Sequence, residues 1–307
     1  MNAFDLQVNG YAGADFCSPD LNSEQLHTAC LALEEDGVDS ILATVITDTM
    51  DALCAKLHNL VQLRDGDPLA KRLIQGFHVE GPFLNPEAGW IGAHPAHAVI
   101  PANPDDAQCL LDAGAGLVRI VTLAPECDRE MATIKALSEQ GIVVSAGHCN
   151  PSLDQLKRAI DNGLRMFTHL GNGCPITLPR HDNIINRVLH FADQLWIGFI
   201  PDGAHIDFFA LDHYLTLAGM ERAFVVTDAI AAARMGPGLH QLSGMDIEVD
   251  AQGVARRPGS PNLAGSTTTM PRIRENLSKH LGRTQADIDR LTSINPRRAL
   301  GLPISSI

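Results

Sequence analysis

Residues 40–64, SILATVITDTMDALCAKLHNLVQLR, join a β-branched apolar run of strand length to a run of helix length. A second strand-like run follows at residues 74–80, IQGFHVE, and the three together read as the βαβ unit of a parallel sheet. The pattern extends in both directions. Strand-like runs at 3–9, 117–123, 142–147, 165–169, 195–200 and 222–227 alternate with helix-like runs at 23–36, 104–113, 129–140, 152–162, 184–192 and 208–217. Ser23 is the expected N-cap of the first helix. Eight such alternations predict an α/β fold, a (β/α)8 TIM-like barrel. The strands are unbroken apolar runs, as strands buried on both faces are. The last part of the chain carries a long insertion near 231–263, with a hairpin expected through 246–253, and two closing helices near 270–281 and 285–293. No linker, repeat or low-complexity tract divides the chain, so residues 1–307 are expected to form a single barrel domain.

Composition removes several classes of function. Hydrophobic residues make up 45% and charged residues 19%, a globular balance that argues against disorder. The net charge of −13 argues against a general nucleic-acid binder, whose affinity comes from neutralising phosphates. A small anionic substrate is still allowed, because it needs only one local Arg or Lys. The apolar runs are far shorter than the roughly 20 residues of a membrane helix. The opening MNAFDLQVNG has neither the basic nor the apolar region of a signal peptide. Seven cysteines without a C-x-x-C pair read as reduced thiols, and a cytoplasmic protein is expected.

In a barrel of this type the chemistry gathers at the C-terminal ends of the strands. Gln7 and Asn9 close the first strand, on one face by their i, i+2 spacing. Glu80 closes the third, His148 the fifth and His169 the sixth, while His205 follows the seventh and Asp228 closes the eighth. Taken singly, each has an ordinary structural use: a hydrogen-bonded histidine, a salt-bridge partner, a helix cap. Taken together they ring one barrel mouth. Two histidines and a glutamate at three strand ends match a His2Glu catalytic metal set, and a further carboxylate supplies the proton-transfer group such a site needs. His94, in the long third loop, and Arg180 and Arg187, after the sixth strand, are either surface residues or substrate contacts. Cys149 and Cys174 lack an activating arrangement and read as bystanders.

The residues also resemble a known family. The ordered motifs are DLQVNGYAGADF, HVEGPFLNPE followed by GAH, VTLAPE, VSAGHCNPSLDQ, THLGN, DGAHID, VVTDAIAAA, LAGSTTTM and NPRRALGL. Over nearly the whole chain they are similar to the N-acetylglucosamine-6-phosphate deacetylases of the amidohydrolase superfamily. The resemblance implies that Glu80, His148 and His169 hold one divalent metal ion, with zinc expected. It implies that Asp228 is the catalytic acid/base and that His205 contacts the acetyl carbonyl. It also implies that Ala93, His94, Asn172, Gly173, Leu263, Ala264 and Gly265 line the sugar, and that Arg180 binds the phosphate. A homodimer is a further implication.

Four departures from the family pattern stand out. Gln7 and Asn9 replace the H-x-H pair of two-metal relatives and imply a single metal. The small β-sandwich that family members build from both chain ends has no counterpart, so a bare barrel is expected. GNGC follows where YNAM is usual, and RHDN where REPG is usual. The expected reaction is metal-dependent deacetylation of an N-acetylamino sugar phosphate, N-acetylglucosamine 6-phosphate first. The alternatives are the same chemistry on N-acetylgalactosamine 6-phosphate or a non-sugar amide, and a non-catalytic binding barrel.

Overall fold

The computed structural model describes residues 1–260 and 262–303. Eight parallel strands follow one another around the sheet in chain order. They are β1 (Ala3–Val8), β2 (Val38–Ile46), β3 (Ile74–Glu80), β4 (Val118–Leu123), β5 (Val143–Ala146), β6 (Leu164–Phe167), β7 (Trp196–Phe199) and β8 (Ala223–Val225). Each strand pairs with the next in parallel register. Between β8 and β1 the sheet is closed, among the described residues, by a single bridge, Val8 to Ala229. The buried Asp5 carboxylate stands in for the missing ladder bonds there. It accepts from the Thr227 amide at 3.2 Å and hydroxyl at 2.6 Å, and from the Gln7 amide at 3.2 Å.

All eight strand expectations match, β3 to the residue and the others with an end shifted by one or two. The caps explain one shift. Helix α1 (Ser23–Glu35) starts one residue later than its cap, which is Asn22 and not Ser23. Asn22 accepts from the Gln25 amide and Gln25 reaches back to the Asn22 amide, a reciprocal capping box. Helix α2 (Met50–Gly66) ends where Asp67 caps a short helix, α3 (Pro68–Leu73), that the sequence pattern did not separate. Helices α4 (Pro104–Ala113), α5 (Ala132–Glu139), α6 (Leu153–Asp161), α7 (Ile184–His190) and α8 (Phe208–Ala218) cover the remaining strands.

The insertion is a three-stranded antiparallel sheet: β9 (Gly238–Leu242), β10 (Met245–Val249) and β11 (Ala255–Arg256). A first hairpin turns at Ser243-Gly244, where both residues have positive φ as a tight two-residue turn requires. The expected hairpin through 246–253 follows it, β10 pairing antiparallel with β11 across the turn after Val249.

Helix α9 (Met270–Lys279) and α10 (Gln285–Asp289) follow, and α10 runs through a π-helical segment into α11 (Asn295–Ala299). This last segment forms the floor of the barrel. Asn295 donates to the Ala223 carbonyl at the start of β8, and Ser293 to the Asn2 carbonyl before β1. Above the floor lies an apolar cluster that includes Phe4, Leu6, Leu42, Ile120, Met166 and Phe224. A polar layer comes next, in which His78, Thr122, Thr168 and Ser145 form a continuous hydrogen-bonded chain. The candidate site lies beyond it, at the strand C-termini. Among the described residues no helix is long and apolar enough to cross a membrane.

Candidate active site

Strands β3, β5 and β6 deliver Glu80, His148 and His169 to one point. Their ligand atoms all lie within 4.8 Å of one another, and all three residues are buried. His169 Nε2 is 2.9 Å and His148 Nε2 3.3 Å from the same oxygen, Glu80 Oε1. Four-coordinate zinc with bonds of about 2.0–2.1 Å separates neighbouring ligand atoms by roughly 3.4 Å, so the donors stand at the spacing an ion needs. The tautomer of His148 also fits. Its Nδ1–H donates to the Trp90 carbonyl at 2.9 Å, which leaves the Nε2 lone pair for the ion.

The backbone is strained where it presents these groups. His148, His169 and Asp228 all have positive φ (50°, 34° and 50°), a region non-glycine residues enter at a cost. Each turns the chain sharply out of its strand and points the side chain across the mouth. Glycines make room for one of the rings. A Cβ on Gly92 or Gly173 would stand 2.9 Å from the His148 imidazole.

Asp228 is held by the first strand. Its Oδ1 accepts from Asn9 Nδ2 at 2.6 Å and from Gln7 Nε2 at 3.1 Å. Gln7 Nε2 also reaches Glu80 Oε2 at 3.2 Å, so one carboxamide spaces the two carboxylates. Burial, together with the charge of Glu80, pushes the Asp228 carboxyl up to about 6, against the opposing pull of His169, His205 and Asn9. Burial also raises Glu80, but the neighbouring His148 and His169 outweigh it and hold this carboxyl well below its usual range. The two carboxyls are thus pushed in opposite directions, Glu80 down and Asp228 up.

The cluster lines a cavity of about 620 Å³, within the range of small-molecule sites. Of the residues expected around it, Asn9, Ala93, His94, Asn172, Gly173, His205, Leu263 and Gly265 are on its wall. Gln7 sits behind the wall and acts through Glu80 and Asp228. Ala264 is fully buried and not on the wall, because its neighbours Leu263 and Gly265 face the cavity. Arg180 is exposed and not on the wall, in the loop that leads to α7, whose Leu178 is on it. His94 is on the wall close to the ligand cluster. It packs 4.4 Å from the His148 ring, bonds Thr47 at 2.9 Å and lies 3.8 Å from Glu80, and burial holds it neutral, at about 3.

Four wall or support residues were not singled out from the sequence. Asp202 bonds His205 Nδ1 at 2.7 Å and so leaves Nε2 for the cavity. Burial raises the Asp202 carboxyl, but the charge and hydrogen bonds of His205 outweigh it. The i, i+3 spacing in PDGAH was the available signal. Thr47 supports His94, while Tyr214 and Arg256 come from elements whose approach to the mouth depends on tertiary packing. Burial raises the thiols of Cys149 and Cys174, the latter to about 11, in keeping with a bystander role.

Known proteins share this arrangement. The human N-acetylglucosamine-6-phosphate deacetylase is 33% identical over 309 residues, covering 97% of this chain and 73% of its own length. The N-acetylgalactosamine-6-phosphate deacetylase of Escherichia coli O157:H7 is 30% identical over 302 residues, covering 97% and 77%. The chain belongs to the N-acetylglucosamine-6-phosphate deacetylase family. It is a hydrolytic enzyme of the amidohydrolase type. The family's enzyme from Mycobacterium smegmatis, solved in complex with N-acetyl-D-glucosamine-6-phosphate, superposes with a TM-score of 0.89 at 31% identity, over 99% of this chain and 78% of that one. No family model matches the chain.

Proposed function

We propose that this deacetylase-family enzyme hydrolyses N-acetylglucosamine 6-phosphate to acetate and glucosamine 6-phosphate. The observation that carries the reading is the convergence of Glu80, His148 and His169 in one cavity, with the Asp228 carboxyl on the wall beside them. An ion held by those three residues supplies Lewis acidity, acidifying water and polarising the acetyl carbonyl. Its donor set suits zinc.

The chain's own residues do the rest. The free Oδ2 of Asp228 accepts a proton from the attacking water, while Oδ1 stays anchored on Asn9 and Gln7. The water oxygen bonds to the acetyl carbon, the C–N bond breaks, and Asp228 returns the proton to the departing amine. His205, fixed by Asp202, stands on the wall as a partner for the carbonyl oxygen. A placed donor of this kind is worth roughly 3–4 kcal/mol in the transition state. The same reading takes residues 1–307 as one catalytic domain, a homodimer as the assembly and the cytoplasm as the compartment.

The E. coli relative's name raises N-acetylgalactosamine 6-phosphate as a second reading. Acetate release from the two sugar phosphates, measured side by side, decides between them. Turnover of the gluco compound at least ten times more efficient supports the proposal. The reverse preference transfers it to the galacto compound, and release from neither rejects it.

A further inference from the structure

Of the motifs in the sequence, VTLAPE places none of its residues on the cavity wall. Its last residue, Glu126, lies in the short turn Pro125–Cys127 that follows β4. Oε2 of this carboxyl is shut off from solvent and, among the described residues, has no hydrogen-bond partner. A buried oxygen left unpaired is destabilising, and the offsetting contacts are made by its neighbour. Oε1 joins two loops. It accepts from Asn85 Nδ2 at 3.0 Å, in the loop after β3, and from the Asn150 amide, in the loop after β5. Arg187 on α7, which is not on the cavity wall, braces the second loop from the far side. It donates to Asn150 Oδ1 and to the Pro151 carbonyl, both at 2.9 Å.

Asn85 is the hub of a closed ring of bonds around His148. Its amide donates to the His148 carbonyl at 3.0 Å, and its Oδ1 accepts from the Glu87 amide at 2.9 Å. The Glu87 carbonyl accepts from the Trp90 amide at 3.1 Å, and the Trp90 carbonyl takes the His148 Nδ1–H at 2.9 Å. One turn thus holds both the backbone and the ring of His148, and Glu126 holds the turn. The ring of His169 has no such frame: its Nδ1 is buried and, among the described residues, unpaired. A φ of 50° at His148 is a strained value that persists only where surrounding contacts fix it.

We infer that Glu126 is a positioning residue for His148: through Asn85 it locks the ring angle and the tautomer with which Nε2 faces Glu80 and His169. The inference rests on the reading of those three residues as a metal site and deepens it. Glu126 touches neither the cavity nor the three ligands, so its effect passes through the turn. Loss of this kind of outer support for a histidine ligand lowers metal affinity by about 10–100-fold.

The test measures zinc affinity of the full chain by competition with a chromophoric chelator, in wild type, Glu126→Ala, Asn85→Asp and the double variant Asn85→Asp with Glu126→Gln. Each protein is also melted without metal, so that loss of fold and loss of affinity are read separately. The visible spectrum of the cobalt-loaded proteins reports the geometry of the ligands. Glu126→Ala is expected to bind zinc about 10–100-fold more weakly and to change the cobalt spectrum. Asn85→Asp removes the donor and sets two carboxylates against each other, and should weaken zinc binding to a similar degree. The double variant again sets a carboxamide against a carboxylate, with donor and acceptor exchanged. It should recover most of the affinity and the spectrum, which a merely structural role would not require. Wild-type zinc affinity with an unchanged cobalt spectrum in Glu126→Ala overturns the inference, whatever the melting temperature. So does a double variant that binds zinc no more tightly than Asn85→Asp, and this comparison decides alone if Glu126→Ala does not fold. Failure of the metal reading looks different: wild type then binds zinc no more tightly than His169→Ala, and the inference falls with it.

Discussion

Asp228 uses its two oxygens differently. Oδ1 is occupied by two carboxamides, and Oδ2 is the one free to exchange a proton. Asp228→Asn keeps the shape and removes the exchange. It should retain metal and lose turnover by about 10²–10⁴-fold; metal analysis beside an acetate assay checks this, and surviving turnover would reassign the base. Gly173 offers a second residue-scale prediction. A methyl there meets the His148 ring at 2.9 Å, on a backbone with φ of 60°. Gly173→Ala should weaken metal affinity by about 10–100-fold, as disturbing a ligand's support does. A metal titration that gives wild-type affinity would show that His148 has room to move. The sequence made Glu80, His148, His169, His205 and Asp228 legible because each sits at a strand end, where local pattern alone predicts location. It placed Arg180 by distance along the chain from His169, and that residue is exposed in the loop before α7. Arg256 gave no local signal, since its approach to the mouth depends on how three short strands fold back.

At the scale of elements, the segment after β7 holds a rigid pair. Asp202 fixes His205 by Nδ1 and also accepts from the His205 and Ala204 amides. Asp202→Asn should lower kcat by about tenfold or more while metal content stays at wild type, the expected result of loosening a supporting contact. Unchanged kcat would remove His205's orientation from the mechanism. The elements themselves were largely readable. Parallel strands buried on both faces appear as unbroken apolar runs, and β3 and α4 were located to the residue. The misses have local physical causes. At the first helix, Asn22 and Ser23 are both good caps, and the reciprocal bond to Gln25 decides for Asn22. In the insertion, the later Asp-Ala-Gln-Gly turn is legible in the sequence, and the additional Ser-Gly turn before it shows only in the ladder that it closes.

For the whole molecule, the weak point is the seam between the first and last strands. There a buried carboxylate, Asp5, takes the place of backbone pairing. Burial raises its pKa from 3.8 to about 7, against the pull of its hydrogen bonds with Thr227 and Gln7. The sign follows from linkage. Between pH about 4 and 7 the folded state keeps a proton that the unfolded state releases, so stability falls as pH rises through that window and levels off above it. The shift corresponds to something on the order of 4 kcal/mol. Asp5→Asn cannot ionise, so its melting temperature relative to wild type should climb between pH 4 and 7; a pH-independent difference would show that the carboxyl ionises as readily folded as unfolded. The closed barrel was legible from eight alternations, but this seam was not, because a lone Asp in an apolar strand does not reveal which distant strand it faces.

The central claim is that Glu80, His148 and His169 hold one ion on which deacetylation depends, with Asp228 beside it. The most direct test strips the protein of metal, reloads it stepwise with zinc, and follows acetate release from N-acetylglucosamine 6-phosphate against bound metal per chain. Acetate release is expected to rise linearly and to saturate at one ion per chain. Glu80→Gln should neither bind the ion tightly nor recover activity. Full activity in the stripped protein, or saturation at two ions per chain, would contradict it.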